Sequence, residues 1–120
     1  MDRRHRLGAW GEDLALRFLT GCGYRLLGRR YRRAGGEIDL VVERAGLTVF
    51  VEVKTRGPGA LDDPAAWVDR RKLGRMRRLA GRWLAENPAR GRCGCRFDVV
   101  AIQWRGFDEG ASLEHLAGVE

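Results

Sequence analysis

The sequence predicts an α/β fold in which a mixed central sheet is flanked by helices, with the element order α-β-β-β-α-β. Two segments with helical periodicity, at 7–20 and 63–86, stand on either side of a region that contains three short apolar runs. A last alternating run occupies residues 96–104. Because helices and strands interleave in this order, each helix can cover one face of a shared sheet.

Both helices carry recognisable end signals. The first is predicted to span residues 7–20 and to end at the glycine-rich stretch 21–23, since glycine favours the conformation that closes a helix. The second is predicted to begin at Asp63-Pro64, where a cap acceptor precedes a proline at the first position. It is predicted to end at Asn87-Pro88, because proline disfavours helical geometry in the residue before it.

At 120 residues the chain is long enough for one domain with a real core. We assign this domain to residues 1–104. Its first strand is predicted at 24–33, with an interruption near Gly28, and a hairpin over 37–54 supplies the next two strands. Residues 105–120 show little periodicity and are predicted to form a C-terminal tail.

The composition indicates a globular protein with a polyanionic partner. With 44% hydrophobic and 32% charged residues, the chain can bury a core. Its net charge of +7 suits nucleic acid as a partner first and an anionic membrane surface second, although an arginine-rich composition gives the same charge without either. No apolar run is long enough to span a membrane, and three cysteines without a secretory signal predict a cytoplasmic protein with reduced thiols.

The segment 37–54 predicts a β-hairpin that has charged side chains on one face. Its turn is centred on Ala45-Gly46, so symmetrical pairing places residue i opposite residue 91 − i. One face is then apolar, with the pairs Ile38/Val53, Leu40/Val51 and Val42/Val49. The other face contains the pairs Val41/Phe50, Asp39/Glu52 and Glu37/Lys54.

Two carboxylates directly opposite each other destabilise a sheet, which indicates a cation between them. Asp39 and Glu52 offer the hard oxygen ligands that Mg²⁺ prefers, and the backbone carbonyl of Val53 is a further candidate ligand. Mn²⁺ is expected to substitute for Mg²⁺. Lys54 lies on the same face, where it is a candidate for orienting or deprotonating the attacking water and for offsetting phosphate charge.

Glu12 is predicted to face inward from the first helix. A helical wheel gives this helix an apolar arc of Trp10, Leu14, Ala15, Leu16, Phe18 and Leu19. Glu12 falls within the arc, and a buried carboxylate requires a partner. Three roles are open: completion of the metal site, interaction with the helix dipole, or an ion pair with one of the arginines.

Lys72 is the corresponding anomaly on the second helix. It lies near the centre of an apolar stripe formed by Val68, Leu73, Met76, Leu79, Ala80, Trp83 and Leu84. It is predicted either to pair with Asp69, three residues away, or to reach an anion held at the metal site.

Two groups of arginines predict basic surfaces. One group lies outside the apolar stripe of the second helix, at 70, 71, 75, 77, 78 and 82, and the other precedes the hairpin, at 25, 29, 30, 32 and 33. Charge runs are usually only solvated faces, but beside a carboxylate cluster they would counter a phosphate backbone. The candidate nucleic-acid contacts are Lys72, Arg30, Arg32, Arg56 and Arg75.

Several motifs occur in one order along residues 8–104: Gly11-Glu12, Gly23-Tyr24, Gly36-Glu37-Ile38-Asp39-Leu40, Val51-Glu52-Val53-Lys54-Thr55-Arg56, Lys72 and Arg96-Phe97-Asp98-Val99-Val100. Together they resemble the bacterial YraN-like proteins. That family belongs by fold to the PD-(D/E)xK, restriction-endonuclease-like nuclease superfamily, close to archaeal Holliday-junction resolvases. The resemblance implies Asp39 and Glu52 as metal ligands, Lys54 as the catalytic lysine, and Glu12 as a helix-borne acid that completes the site.

The chain departs from the family pattern at two positions. The proline that precedes the aspartate in the superfamily is Ile38 here, as in the resolvase-like branches. Arg30 stands where the family leads us to expect asparagine, which bears on substrate contacts before the hairpin.

The leading hypothesis is a Mg²⁺-dependent endonuclease that hydrolyses DNA phosphodiester bonds, at branched or processed structures. A non-catalytic nucleic-acid-binding module on a nuclease fold is the first alternative. The second is an interaction protein whose hairpin face docks a basic partner, with 96–104 as an edge strand open for pairing. A resolvase would need a twofold homodimer, for which an exposed Trp67 and the tail are candidate contacts.

Overall fold

A computed structural model of the chain describes residues 3–59 and 63–120. Its elements are α1 (Arg3–Gly21), β1 (Arg25–Arg33), β2 (Gly36–Arg44), β3 (Leu47–Arg56), a 3-10 turn (Pro64–Trp67), α2 (Arg70–Glu86), β4 (Cys95–Gly106) and β5 (Gly110–Leu116). The sheet order follows the chain, β1-β2-β3-β4-β5, and only β3 and β4 are parallel. The predicted mixed α/β fold is confirmed.

The two helices pack on opposite faces of this sheet. Because successive strand residues point to opposite faces, Val49 and Val51 join the core cluster beneath α1, whereas Phe50 joins the cluster beneath α2. The apolar stripe predicted for the second helix is confirmed, since Leu73, Met76, Leu79, Ala80 and Trp83 are buried. None of the helices in the described ranges is long and apolar enough to cross a membrane.

The hairpin forms in the predicted register. Its β2–β3 pairs run from Arg44↔Leu47 to Leu40↔Val51, each pair symmetrical about the turn. Ala45 and Gly46 both have positive φ, 52° and 80°, which identifies a type I′ turn whose twist matches that of the strands. The ladder ends at Leu40↔Val51. The predicted pairs Asp39/Glu52 and Ile38/Val53 are therefore not formed.

Three predictions, two about the helices and one about Trp67, were wrong. The second helix begins at Arg70 rather than at Asp63-Pro64, because Pro64–Trp67 forms a separate 3-10 turn and Asp69 supplies the cap. Trp67, which we expected to be exposed, is buried, with the Arg56 guanidinium 5.4 Å from its ring centroid. Trp10 and Phe18 of α1 are more than one-third exposed, so its buried face is narrower than the predicted arc.

The prediction of a weakly patterned tail missed a strand. Residues 110–116 form β5, which pairs with β4 from Gly106↔Gly110 to Val99↔Leu116. β4 is therefore not an edge strand, and the pairing edge predicted at 96–104 is covered by the chain itself. The terminal segment also returns to β4, where the Val119 N–H donates to the Phe97 carbonyl at 2.9 Å.

Candidate active site

The site lies where β2 and β3 separate. Beyond Leu40↔Val51 the two strands no longer pair, and the Asp39 carboxylate takes the place of the missing ladder bond. The Val53 N–H donates to Asp39 Oδ2 at 2.7 Å. Alternation of faces is broken at Asp39 as well, because Leu40 packs beneath α1 whereas Ile38 packs beneath α2. The expected wholly apolar face is thus interrupted next to the site.

Glu52 is buried against two lysines. Its carboxylate is only 3% exposed, and Oε1 lies 3.1 Å from the Lys54 ammonium and in contact with that of Lys72. Two ammonium groups thus share one buried carboxylate oxygen. The predicted placement of Lys54 beside Glu52 is confirmed.

Burial dominates the electrostatics of Asp39. It raises the pKa of this carboxyl to about 6, and the negative charges of Glu52 and Glu37 act in the same direction. The Val53 N–H and the Lys72 ammonium oppose the shift. At neutral pH Asp39 is thus an ionised carboxylate in a poorly solvated place, which is the state in which it can ligate a cation.

Lys72 reaches into the site from α2. Burial lowers the pKa of its ammonium, but the contact with Glu52 and the charges of Glu52 and Asp39 outweigh burial, and the net shift is upward. The predicted Lys72–Asp69 ion pair is wrong, because Asp69 caps α2. Its side chain accepts from the backbone N–H groups of Arg71 and Lys72, at 2.9 and 3.4 Å.

Glu12 does face inward, as predicted, but its partners are guanidinium groups. Its Oε1 lies 3.0 Å from Arg29 Nη2 and 3.2 Å from Arg30 Nε, so the ion-pair alternative is the one realised. The structure does not bring Glu12 onto the Asp39–Glu52 pair. Within residues 3–59 and 63–120, no three His, Cys, Asp or Glu side chains are grouped as a metal cluster.

The other candidate nucleic-acid contacts occupy different surroundings. Arg32 pairs with Glu37 at 3.0 Å, and this contact replaces the predicted opposition of Glu37 and Lys54. Arg75 is exposed, as are the other five arginines predicted to lie outside the stripe of α2. That helix therefore presents a basic surface on the side of the molecule from which Lys72 enters the site.

Arg30 has an unusual backbone. Its φ of 50° lies in the left-handed region, which asparagine and glycine adopt far more readily than arginine. The asparagine expected at this position from the family resemblance is thus explained by the backbone. Arginine at this position therefore adds backbone strain to β1.

A second buried polar cluster was not predicted. Asp98, fully buried on β4, accepts two hydrogen bonds of 2.8 Å from Arg96, lies 2.6 Å from His115 Nε2, and accepts from the Gly118 N–H. Burial raises the pKa of Asp98, but these partners outweigh it and the net shift is downward. The signal in the sequence is Arg96-x-Asp98, whose side chains share a strand face.

Comparison with known proteins places the chain in a family. A model of the family described as "Uncharacterised protein family UPF0102" matches residues 11–102, well over half of the chain. The chain belongs to the UPF0102 family. A UPF0102 protein of Beutenbergia cavernae is 45% identical over 119 residues, which cover 99% of both chains. One from Moorella thermoacetica is 45% identical over 120 residues, which cover all of this chain and 93% of the relative.

The match to UPF0102 includes the whole candidate site. It spans Glu12 on α1, the hairpin that bears Asp39, Glu52 and Lys54, and Lys72 on α2. The UPF0102 protein of Clavibacter michiganensis subsp. michiganensis, 46% identical over 104 residues and 87% of each chain, has the same family name. These names state no reaction, so the function of the site has to be argued from its geometry.

Proposed function

We propose that this chain is a Mg²⁺-dependent endonuclease that hydrolyses phosphodiester bonds in DNA. The observation that supports it best is the meeting of the buried Glu52 carboxylate and the partly buried Asp39 carboxylate with Lys54 and Lys72 at the opening of a hairpin. A purely structural core gains little from four charges at one point, because each must be desolvated.

The donor set fits a small hard cation. Mg²⁺ is commonly bound by one or two carboxylates and keeps several waters, and Asp39 with Glu52 supplies this set. Glu52 Oε1 is buried and contacts two ammonium groups, so a cation bound there would displace at least one of them. The Val53 carbonyl is a third candidate ligand. When bound, Mg²⁺ supplies polarisation of the scissile phosphate and acidifies a water.

The lysines have separate roles in this proposal. Lys54 follows Glu52 by two residues on β3, and its ammonium is held by Oε1 at 3.1 Å, so it is positioned to orient the attacking water. Lys72 comes from another element, and its ammonium offsets the negative charge that develops on the phosphate. In the structure both ammonium groups contact Glu52. A bound phosphate gives each of them a second anionic partner.

The basic surfaces support DNA as the substrate. The net charge is +7, and the arginines of α2 are exposed around the helix that delivers Lys72. Such a surface attracts the phosphate backbone and raises the local concentration of substrate at the site.

The test is cleavage of labelled junction, flap, single-stranded and duplex DNA in Mg²⁺ or Mn²⁺. We expect Asp39→Asn and Lys54→Ala each to lower the rate at least about 100-fold, as removal of a charge-stabilising group does in other enzymes. Glu43→Gln is the matched control. Like Asp39→Asn it replaces a carboxylate with an amide, but it does so at the other end of β2. No metal-dependent cleavage that requires Asp39 on any of these substrates would end the enzyme proposal.

A non-catalytic nucleic-acid-binding module is the second candidate. It is favoured by the fact that the acids already have cationic partners: Glu12 has two guanidiniums and Glu52 two ammoniums. Equal DNA affinity of the wild type and Asp39→Asn in EDTA, with no product in Mg²⁺, would support the module and not the enzyme.

A further inference from the structure

An exposed aromatic patch lies apart from the charged site. It consists of Trp10 on α1, Trp104 at the end of β4 and Phe107 in the β4–β5 turn, with Arg6 and Leu7 beside them. Phe107 is 96% exposed, and its ring meets Trp104 nearly at right angles, with 5.3 Å between centroids. These residues line a cavity of about 460 Å³. Two exposed rings, Trp10 and Phe107, beside the half-buried Trp104 indicate a binding surface.

The patch adjoins the strand that carries Lys54. Trp104 directly follows Gln103, which is the β4 partner of Arg56 at the end of β3. Leu7 lies close to Gly57: a Cβ added to Gly57 would be 3.9 Å from Leu7 Cδ2. Gly57 is three residues beyond Lys54, a path of about 10 Å along extended chain. The patch and the candidate site therefore both adjoin the end of β3, with the patch on the α1 side of the sheet and Lys54 on the α2 side. A single strand of DNA that contacts both has to pass around this end of the sheet.

We propose that the aromatic patch binds an unpaired nucleobase of the DNA substrate by stacking. This inference rests on the proposed function, and it specifies the substrate class as DNA with a single-stranded segment next to the cut. Aromatic platforms beside positive charge are the general means of holding single strands, because every base has a π face. A cavity of about 460 Å³ is large enough for one base.

Charge favours a nucleotide over other occupants. Arg6 lies in the patch, and the chain as a whole has a charge of +7. Asp108 and Glu109 follow Phe107 in the turn, so we expect the nucleotide's phosphate on the Arg6 side of the patch. A second copy of the chain is the competing occupant, since the acidic turn of one copy could face the basic start of α1 in another.

The experiment measures DNA affinity in EDTA, so that binding is separated from cleavage. The probes are a duplex with a short single-stranded extension and a blunt duplex of equal length. We expect Phe107→Ala to weaken binding of the extended duplex about five- to tenfold and to leave the blunt duplex unchanged. Phe107→Tyr should retain the wild-type affinity, whereas Phe107→Leu, which is apolar but has no ring, should not. A side chain this exposed can be replaced without loss of the fold.

Three outcomes would overturn the stacking site. These are equal affinities of the wild type and Phe107→Ala for the extended duplex, wild-type behaviour of Phe107→Leu, or a dimer in sedimentation that Phe107→Ala dissociates. The last would assign the patch to contact between copies. If the wild type cleaves DNA while Phe107→Ala binds the extended duplex with wild-type affinity, only the stacking site is wrong. If neither duplex binds to the wild type, the proposed function fails as well.

Discussion

Ionisation of Asp39 lowers the stability of the folded state. Its folded-state pKa of about 6 lies above the ordinary 3.8, so between these pH values the folded chain binds this proton more tightly than the unfolded chain does. Stability therefore falls as the pH rises from about 4 to about 6, and the loss persists above pH 6. Two pKa units correspond to about 3 kcal/mol, a cost that a functional carboxylate can impose on its fold.

Asp39→Asn should remove that cost. The amide oxygen can still accept from the Val53 N–H, but it does not ionise. We expect the variant to be more stable than the wild type by about 2 kcal/mol at pH 8 and nearly equal to it at pH 4, as measured by urea unfolding. An Asp39→Asn difference that is the same at both pH values would contradict the assignment.

Arg30 carries strain in its backbone rather than in its contacts. At a φ of 50°, Arg30→Gly should be more stable than Arg30→Ala by about 1 kcal/mol, because both lose the guanidinium but only alanine keeps the steric cost of its Cβ. Thermal unfolding of the two variants provides the comparison. Arg32 lies on the same strand with an ordinary φ, so there the alanine variant should be more stable than the glycine variant. If glycine were the more stable at both positions, Arg30 would not be strained.

At the level of elements, the contact of α1 with β3 depends on one glycine. A Cβ added at Gly11 would lie 2.1 Å from Thr55 Oγ1, far inside normal contact, whereas a Cβ at Gly8 would have no neighbour within 4 Å. Gly11 thus sets how closely α1 approaches the strand that bears Lys54, and it places Glu12 next to that contact.

Alanine at these two glycines should have opposite effects. We expect Gly11→Ala to lower the free energy of unfolding by about 1–3 kcal/mol through overpacking. Gly8→Ala, in the same helix, should raise it by about 0.5–1 kcal/mol through helix propensity. Chemical denaturation of both variants tests this, and a Gly11→Ala protein as stable as Gly8→Ala would show that the helix can move away freely.

Local patterns predicted some elements well and others poorly. The hairpin was predictable because its turn residues and its alternation both lie within 18 consecutive positions, and the face that joins Glu52 and Lys54 follows from strand period two. β5 was missed because it is a half-exposed edge strand, whose Ala111, Ser112 and Leu113 show no clean alternation of burial. The start of α2 was misplaced because Pro64 begins a 3-10 turn as readily as a helix.

The partners of buried charges were the least predictable part of the site. The wheel showed that Glu12 and Lys72 point inward, but not which groups they meet. Those partners, Arg29 with Arg30 for Glu12 and Glu52 for Lys72, come from other elements and depend on how helices dock on the sheet. The break in β2 at Asp39 likewise depends on a bond to β3.

At the scale of the molecule, Asp98 joins distant parts of the chain. Through Arg96, His115 and the Gly118 N–H it ties β4 to β5 and to the terminal segment, and Arg96 extends the network to the Tyr24 hydroxyl at 2.8 Å. The terminal strand is thus attached by a buried ionic cluster as well as by its ladder.

Loss of Asp98 should destabilise the whole fold. Asp98→Ala leaves Arg96 without its carboxylate, and we expect a loss of about 3 kcal/mol in the free energy of unfolding at pH 7. Because the pKa of Asp98 is lowered by folding, its contribution is complete above about pH 4 and is lost as the pH falls through the folded-state pKa. The wild type and the variant should therefore converge in acid.

The control is Asp13→Ala, which removes an exposed carboxylate from its ion pair with Arg29 and should cost less than about 1 kcal/mol. Urea unfolding from pH 7 down to pH 3 measures both variants. An Asp98→Ala protein no less stable than Asp13→Ala at pH 7 would show that the cluster contributes no net stability.

The proposed function requires Asp39 and Glu52 together to hold a divalent cation. Anomalous diffraction from crystals of the chain soaked in millimolar Mn²⁺ would show such a cation. We expect an anomalous peak bonded to both carboxylates, with at least one lysine ammonium displaced from Glu52 Oε1, and no such peak in Asp39→Asn. A wild-type site without a peak, with Lys54 and Lys72 both still on Glu52, would contradict the proposed function.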